Sequence, residues 1–372
     1  MTPQRRTVVR HAPGKLFVVG EYAVVEPGCP AILVSVDRGV TVTVSGSRDA
    51  GVVISSDLDP HAVRRQWRDG RLAVHGTDEG RSTRGRWPHV VSAIETVGRL
   101  LTERGLPLPA LAVSVSSRLH EDGRKFGLGS SGAVTVATIA AVSAYCGLEL
   151  SHDSRFRLAV LATARIDPKG SGGDLAASTY GGWIAYRAPD RAFVLDLAEH
   201  EGVEGALRAP WPGCATRRLP PPADLCLEVG WTGNPASTTA LVSDLHRRTW
   251  RGSASHHRFV AATTDFVHAA IDALESGDDP GLLRQIRRAR GELARLDAEA
   301  GLGIFTPELT ALCDAAESVG GAAKPSGAGG GDCGIALLDA GAQQNIACLR
   351  QRWDAAGVLP LSVHPAPEGI KQ

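Results

Sequence analysis

Lysine is scarce in this chain. Of forty basic residues among 372, only Lys15, Lys125, Lys169, Lys324 and Lys371 are lysine, and the rest are arginine. Net charge is missing as well, because forty Asp and Glu balance the forty Lys and Arg. A protein that holds nucleic acid or an anionic membrane through bulk charge needs a basic surplus, so neither partner is expected. The longest apolar stretch, about Val134 to Leu148, is interrupted by Thr135, Thr138 and Ser143, and a bilayer span needs about 20 apolar residues. The first nine residues carry no apolar core or small-residue cleavage site, so no secretion signal is expected. Seven cysteines form no Cys-x-x-Cys pair, which suits reduced thiols and a cytoplasmic setting. The twelve histidines show no metal-ligand spacing, and His256-His257 reads as helix surface.

What is present is an ordinary apolar content, 43%, spread over a length that suits two domains. Strands are predicted at Thr7–His11, Leu16–Val19, Ala31–Val36 and Val40–Ser45, the last from its Val-Thr alternation. The polar segment Asp57–Trp87 reads as a surface excursion. Pro88 opens a helix to about Arg104, Ala110–Ser117 is a strand, and a small-residue helix runs from about Ser131 to Cys146. The Leu219-Pro220-Pro221-Pro222 run marks a domain joint. Beyond it come a strand at Leu225–Trp231, helices near 236–249, 256–276 and 280–300, helix Pro307–Ser318, strand Cys333–Leu338, helix Ala342–Ala356 and strand Leu361–His364. Clustered rather than alternating elements indicate α+β layers.

Four glycine-rich segments stand out, and four of the five lysines fall in or beside them. Gly127-Leu128-Gly129-Ser130-Ser131-Gly132 fits G-x-G-x-x-G, yet the preceding Glu121–Phe126 is no buried strand, so a Rossmann fingerprint is excluded. The kinase variant fails for want of an Asp-Phe-Gly. The loop still offers backbone N–H groups, two hydroxyls and a helix N-terminus, which together make a phosphate cradle; a capped turn is the alternative. The others are Ala12–Tyr22 around Lys15, Lys169–Ser178 around Asp174, and Lys324–Cys333. Lysine offers a compact charge with three rotatable donors where a phosphate must be met in a tight site.

In this order the segments resemble the GHMP kinase superfamily of small-molecule kinases. Pro13–Val25 resembles its first motif, Phe126–Val136 its nucleotide-phosphate loop and Lys324–Gly334 its third motif. The run from Gly123 to Gly132, with Gly170–Ala176, Val229–Thr232 and Ser326–Gly334, is most similar to the bacterial phosphomevalonate kinase branch. The resemblance implies an α+β fold of two domains, a ribosomal-protein-S5-like α/β domain over 1–212 and a ferredoxin-like domain over 213–372, with the active site between them. It implies ATP and Mg²⁺ as cofactors, phosphomevalonate as acceptor, and a monomer or homodimer. Mevalonate kinase, diphosphomevalonate decarboxylase and a non-catalytic ligand sensor share the scaffold and remain alternatives.

By the same resemblance Lys15 and Asp174 are the catalytic pair, Lys15 bridging the two phosphoryl groups and Asp174 orienting it or acting through Mg²⁺. Gly127, Leu128, Gly129, Ser130, Ser131, Gly132 and Ala133, with Lys125, hold ATP, and Ser130 or Ser131 reaches the metal. Glu21, Tyr22, Arg124, Ser171, Gly172, Ser326, Gly327 and Ala328 join Lys15 and Asp174 around the acceptor, whose own phosphate falls to Lys125 and Lys169. Mevalonate kinase-like members carry a Mg²⁺-binding glutamate eleven residues before the aspartate, where this chain has Thr163; Asp167 is the nearby carboxylate. An acceptor phosphate, with a second pKa of about 6, is largely ionised at neutral pH, so the site needs positioned cations more than a base.

Overall fold

The computed structural model describes residues 6–47, 49–74, 87–121, 123–234 and 250–366, so the helix expected near 236–249 lies outside the described residues. Two β-sheets, each covered by helices, organise the chain. The first has eight strands: β1 (Thr7–Val19), β2 (Pro30–Gly46), β3 (Val52–Ser56), β4 (Asp59–Arg68), β5 (Arg71–Val74), β6 (Leu111–Ser117), β9 (Trp183–Arg187) and β10 (Ala215–Leu219). Between β6 and β9 lies a small hairpin of β7 (His120–Glu121) and β8 (Arg124–Lys125). The spatial order is β10-β9-β2-β6-β3-β4-β5, with β1 also on β2.

The predicted four-strand meander at the start is two long strands instead. β1 and β2 pair antiparallel along their length, with register shifts at Pro13/Gly14 and Phe17/Val19 that absorb the breaks read from the sequence. β2 is the spine of the sheet. Its Val40–Gly46 half pairs with β6 and its Pro30–Val34 half with β9. The polar excursion after Asp57 is likewise corrected, because β4 and β5 extend the sheet edge there. Their outer faces are charged while Val63, Arg65 and Leu72 are buried, so the alternation is masked by polar residues on the solvent side.

Helix α1 (Pro88–Glu103) begins with Pro88 in its first turn, and its buried Val90, Ile94, Val97 and Leu101 recur at helical spacing. Helix α2 (Ser130–Tyr145) is apolar on nearly every side and is buried from Gly132 to Ser143. It packs against β1, β2, α1 and α3 (His152–Ala164). Ser151 caps α3 by accepting from Ser154 N at 3.1 Å. Helices α4 (Gly173–Tyr180), α5 (Arg191–His200) and α6 (Gly202–Arg208) complete this unit.

The second sheet is antiparallel in the order β12 (Ala322–Pro325), β13 (Cys333–Asp339), β11 (Leu225–Trp231), β14 (Leu359–Leu361). It is joined by α7 (Ala254–Ser276), α8 (Asp279–Ala300), α9 (Pro307–Ser318) and α10 (Gln343–Ala355). The Pro220–Pro222 run falls between the last strand of the first sheet and the first strand of the second, so β10, although beyond Gly213, belongs to the first sheet. After β14 the chain crosses back: Val36 bridges Pro365, and Ala366 N donates to Ser35 O at 2.8 Å.

One buried ion pair ties the units together. Lys324 on β12 has no exposed surface and donates its ammonium to Glu21 and, at 2.7 Å, to Pro325 O. Burial pulls its pKa down, and the Glu21 carboxylate opposes that shift. Removing either partner leaves the other charge buried and unpaired, so Glu21→Gln or Lys324→Met should each destabilise by about 3–5 kcal/mol. The double variant should recover part of that loss. Urea titration followed by tryptophan fluorescence checks this, and equal midpoints for all four proteins would refute it.

Candidate active site

The phosphate loop connects the β7–β8 hairpin to α2, and it is anchored at its root. Phe126 is fully buried, meets Trp231 of β11 edge-on at 5.2 Å and 81°, and its carbonyl accepts from the Cys333 thiol at 2.8 Å. Further along, Lys15 N donates to Leu128 O at 2.8 Å and Lys15 Nζ to Gly127 O at 3.1 Å. The Lys15 side chain, 8% exposed, therefore lies along the loop with N–H donors to spare.

Two carboxylates close on this loop from opposite units. A Cβ on Gly132, in the first turn of α2, would stand 2.5 Å from Asp174 Oδ2, and one on Gly127 would stand 2.5 Å from the Asp332 side chain. Only hydrogen fits at either place. Asp174 sits in the first turn of α4, where its Oδ1 accepts from Leu175 N at 3.0 Å. Among the described residues no ion pair joins Lys15 to Asp174, so the two face the loop side by side rather than bonded to each other.

One cavity opens on the loop and a second lies by the first and third motifs. The larger, about 270 Å³, is lined by Leu58, Trp87, Pro88, His89, Lys125, Ser130, Ser131 and Val134, among others. The smaller, about 90 Å³, is bounded by Phe17, Glu21, Tyr22, Val24, Val25, Asp167, Gly170, Ser171, Gly327 and Ala328. The first thus collects serines and a lysine beside an apolar slot, and the second collects small backbone surfaces around two carboxylates.

Comparison with known proteins agrees with this arrangement. The chain matches the GHMP kinases N terminal domain over residues 89–182 and the GHMP kinases C terminal family over 270–354. It is 73% identical to phosphomevalonate kinase of Streptomyces sp. strain CL190, with all of both chains covered. The chain belongs to the GHMP kinases. A solved GHMP kinase, Streptococcus pneumoniae phosphomevalonate kinase in complex with phosphomevalonate and AMPPNP, superposes with a TM-score of 0.83 at 28% identity, covering 97% of this chain and 99% of that one. Mevalonate kinase of Pyrococcus abyssi is 27% identical over 98% of each chain.

Lys15 and Asp174 lie against Gly129 and Gly132 of the loop, Lys125 shares the larger cavity with Ser130 and Ser131, Ser171 lines the smaller cavity, and Gly172 packs on Arg191 and Tyr186. Other expected site residues are already engaged. Glu21 borders the smaller cavity, but its carboxylate is paired with Lys324 and also accepts from Gly327 N at 3.4 Å. The Ser326 hydroxyl donates to Phe17 O at 3.0 Å and accepts from Phe17 N at 2.8 Å, which locks the third motif onto β1. Tyr22 donates to Ala328 O at 2.5 Å, and burial pushes its phenol pKa far up, with Asp297 and Glu21 adding to the shift. Arg124 and Lys169 are exposed and line neither cavity.

A Mg²⁺ ion in a phosphotransferase needs one or two protein oxygens, because nucleotide phosphates and water fill the rest of its octahedron. Among the described residues the hydroxyls of Ser130 and Ser131 engage no protein group, and Asp174 lies against the same turn, so the donor set fits. Thr163 does not replace the missing glutamate, since its hydroxyl donates to Ala159 O at 2.9 Å and Val160 O at 3.2 Å within α3. Asp167 instead organises its own loop, accepting from Lys169 N at 2.9 Å.

Two supporting residues carry no sequence signal. Arg191 at the start of α5 is buried beneath the 167–172 loop, donates Nη1 to Asp167 O at 3.0 Å, and leaves Nε without a partner. Beside it Tyr186 donates to Ser171 O at 2.7 Å. His89 in the first turn of α1 lines the larger cavity, and its buried Nδ1 has no partner. Burial lowers its pKa, Lys125 adds to that, and Asp174 and Asp167 oppose it, so the ring is neutral at pH 7.

Because Gly132 has room for nothing larger than hydrogen, Gly132→Ala should displace Asp174 and lower kcat by roughly 100-fold while the protein stays folded. Steady-state kinetics with a circular-dichroism melt checks both halves. For His89 the sign follows from its depressed folded pKa: the unfolded ring, near its ordinary 6.5, binds the proton first, so stability is lost as pH falls below that value. His89→Gln should therefore shrink the loss of urea midpoint between pH 7 and about pH 5. An unchanged loss would show that His89 does not titrate this way.

Proposed function

We propose that this chain transfers the γ-phosphoryl group of ATP to the phosphate of (R)-5-phosphomevalonate, giving (R)-5-diphosphomevalonate and ADP. The observation that carries the reading is the 73% identity over the whole chain to the Streptomyces phosphomevalonate kinase. The loop chemistry supports it from below. In the transfer an acceptor phosphate oxygen bonds to the γ-phosphorus as the bond to ADP breaks, and the ionised acceptor surrenders no proton. The task left to the protein is to hold two polyanions in line.

The backbone N–H groups of Gly127–Gly132 and the N-terminus of α2 take the nucleotide phosphates. The larger cavity receives the base and sugar beside Trp87 and Leu58. Lys15, held along the loop by Gly127 O, presents its remaining N–H donors where donor and acceptor phosphates meet. Asp174 positions the reacting groups from the start of α4, and with the Ser130 or Ser131 hydroxyl it would hold Mg²⁺, whose charge would offset that of the phosphates. The smaller cavity offers Phe17, Val24 and Val25 to a branched carbon chain and the backbone of Gly170, Ser171 and Gly327 to its oxygens. Arg124 and Lys169 are left to the acceptor phosphate.

Lys125 lines the same cavity as Ser130 and Ser131, which favours nucleotide contact over acceptor contact. A charged hydrogen bond is worth about 1.5–3 kcal/mol. Lys125→Met should accordingly raise KM for ATP at least about tenfold, with a smaller change for phosphomevalonate. Lys169→Met should show the opposite split. The reverse pattern would return Lys125 to the acceptor phosphate. For the activity itself, ADP release is to be followed with mevalonate, phosphomevalonate and diphosphomevalonate in parallel. Turnover with phosphomevalonate alone is expected, and turnover with mevalonate alone would refute the proposal.

A further inference from the structure

Away from the groove, a cavity of about 510 Å³ opens between the start of β1, the last two turns of α2 and the start of α3. Three arginines line it, Arg6, Arg10 and Arg155, and the acidic residue among its described lining groups is Glu149, which is exposed and in no ion pair. None of the three arginines has a carboxylate partner among the described residues. Each spends one donor on a carbonyl: Arg6 on Ala144 O at 2.8 Å, Arg10 on Val9 O at 2.9 Å and Arg155 on Leu150 O at 3.1 Å. A guanidinium carries five N–H donors, so most of them stay free.

Closing the C-terminus of α2 uses only the Arg6 contact and leaves the other two unexplained. Arg155 is 8% exposed, and its pKa is lowered by burial first and by the Arg10 charge second. Three arginines around a partly buried cavity, set against the single exposed carboxylate of Glu149, leave a deficit of negative charge that an anion would fill. Ser151, the N-cap of α3, also lines the cavity. The hydroxyl of Ser143, which also lines the cavity, is buried without a partner. Ala140, Ala144, Leu148 and Leu150 supply apolar lining to the same cavity.

We infer that this cavity is a second anion site, built for a small molecule bearing a diphosphate group. A single phosphate would satisfy one fork, whereas three separate guanidiniums match a longer anion with at least two charged centres. The space lies within the usual range of ligand pockets, about 300–1,000 Å³, and leaves room for an organic tail on the apolar lining. Ser143 stands about 20 Å along α2 from Ser130, at 1.5 Å per residue. A molecule here therefore touches none of the transferring groups.

The test is calorimetric titration of the full chain with inorganic pyrophosphate after the groove has been saturated with AMPPNP and phosphomevalonate. One further equivalent should bind, and it should weaken as salt rises. Arg10→Gln and Arg155→Gln should each reduce that affinity at least about tenfold, the loss of one charge-assisted contact, while turnover without pyrophosphate stays as in the parent. Arg10 is half-buried and makes its one bond to a sequence neighbour, so its variant keeps the test valid if Arg155→Gln fails to fold. A parallel titration with butyl diphosphate separates the two sources of the group: tighter binding assigns an organic ester, and equal binding assigns free pyrophosphate. Absence of binding to the saturated protein, or equal affinity in parent and both variants, would overturn the inference.

Discussion

The site depends on how closely other side chains approach the loop between Gly127 and Gly132. Asp174 reaches it from one unit and Asp332 from the other, each occupying space that any Cβ would take. Protein interiors do not deform continuously, so this contact fixes the loop relative to both sheets at once. It also places carboxylates beside a loop suited to anions. Lys15, threaded along the same loop, bonds to Gly127 O and makes no ion pair with Asp174 among the described residues.

The scarcity of lysine pointed to the right segments but to two different uses of the residue. Lys15 and Lys125 border the groove. Lys324, equally embedded in a glycine-rich motif, is sealed inside the protein and paired with Glu21. A buried pair of this kind contributes less to net stability than to register, because desolvation offsets much of the attraction. It sets the third motif against the first, and the bonds of Ser326 to Phe17 and of Tyr22 to Ala328 continue that alignment.

Much of the fold was legible where a single physical signal dominates. Pro307–Ser318 was delimited by Thr306 and Pro307, whose capping roles are local, and α1 by Pro88 and its apolar spacing. The glycine loops were legible because few other functions call for so many glycines together. Edge strands β4 and β5 were hidden by charge on their outer faces. His89 and Arg191 were hidden for another reason: each matters through burial and a missing partner, properties of tertiary neighbours that no spacing encodes. The bonds that Glu21, Ser326 and Tyr22 make within the protein were hidden in the same way, since a polar residue beside a pocket and a polar residue already bonded read alike in one dimension.

The return of the chain after β14 has a mechanical consequence. The polypeptide passes between the two units at Pro220–Pro222 and again near 362–366, where Asp37 and Ser35 of the spine strand hold it. With two covalent crossings and the bonds of Ser326 to Phe17 besides, the units are tethered at several separate points rather than strung on one linker, so the walls of the site are joined before any ligand enters.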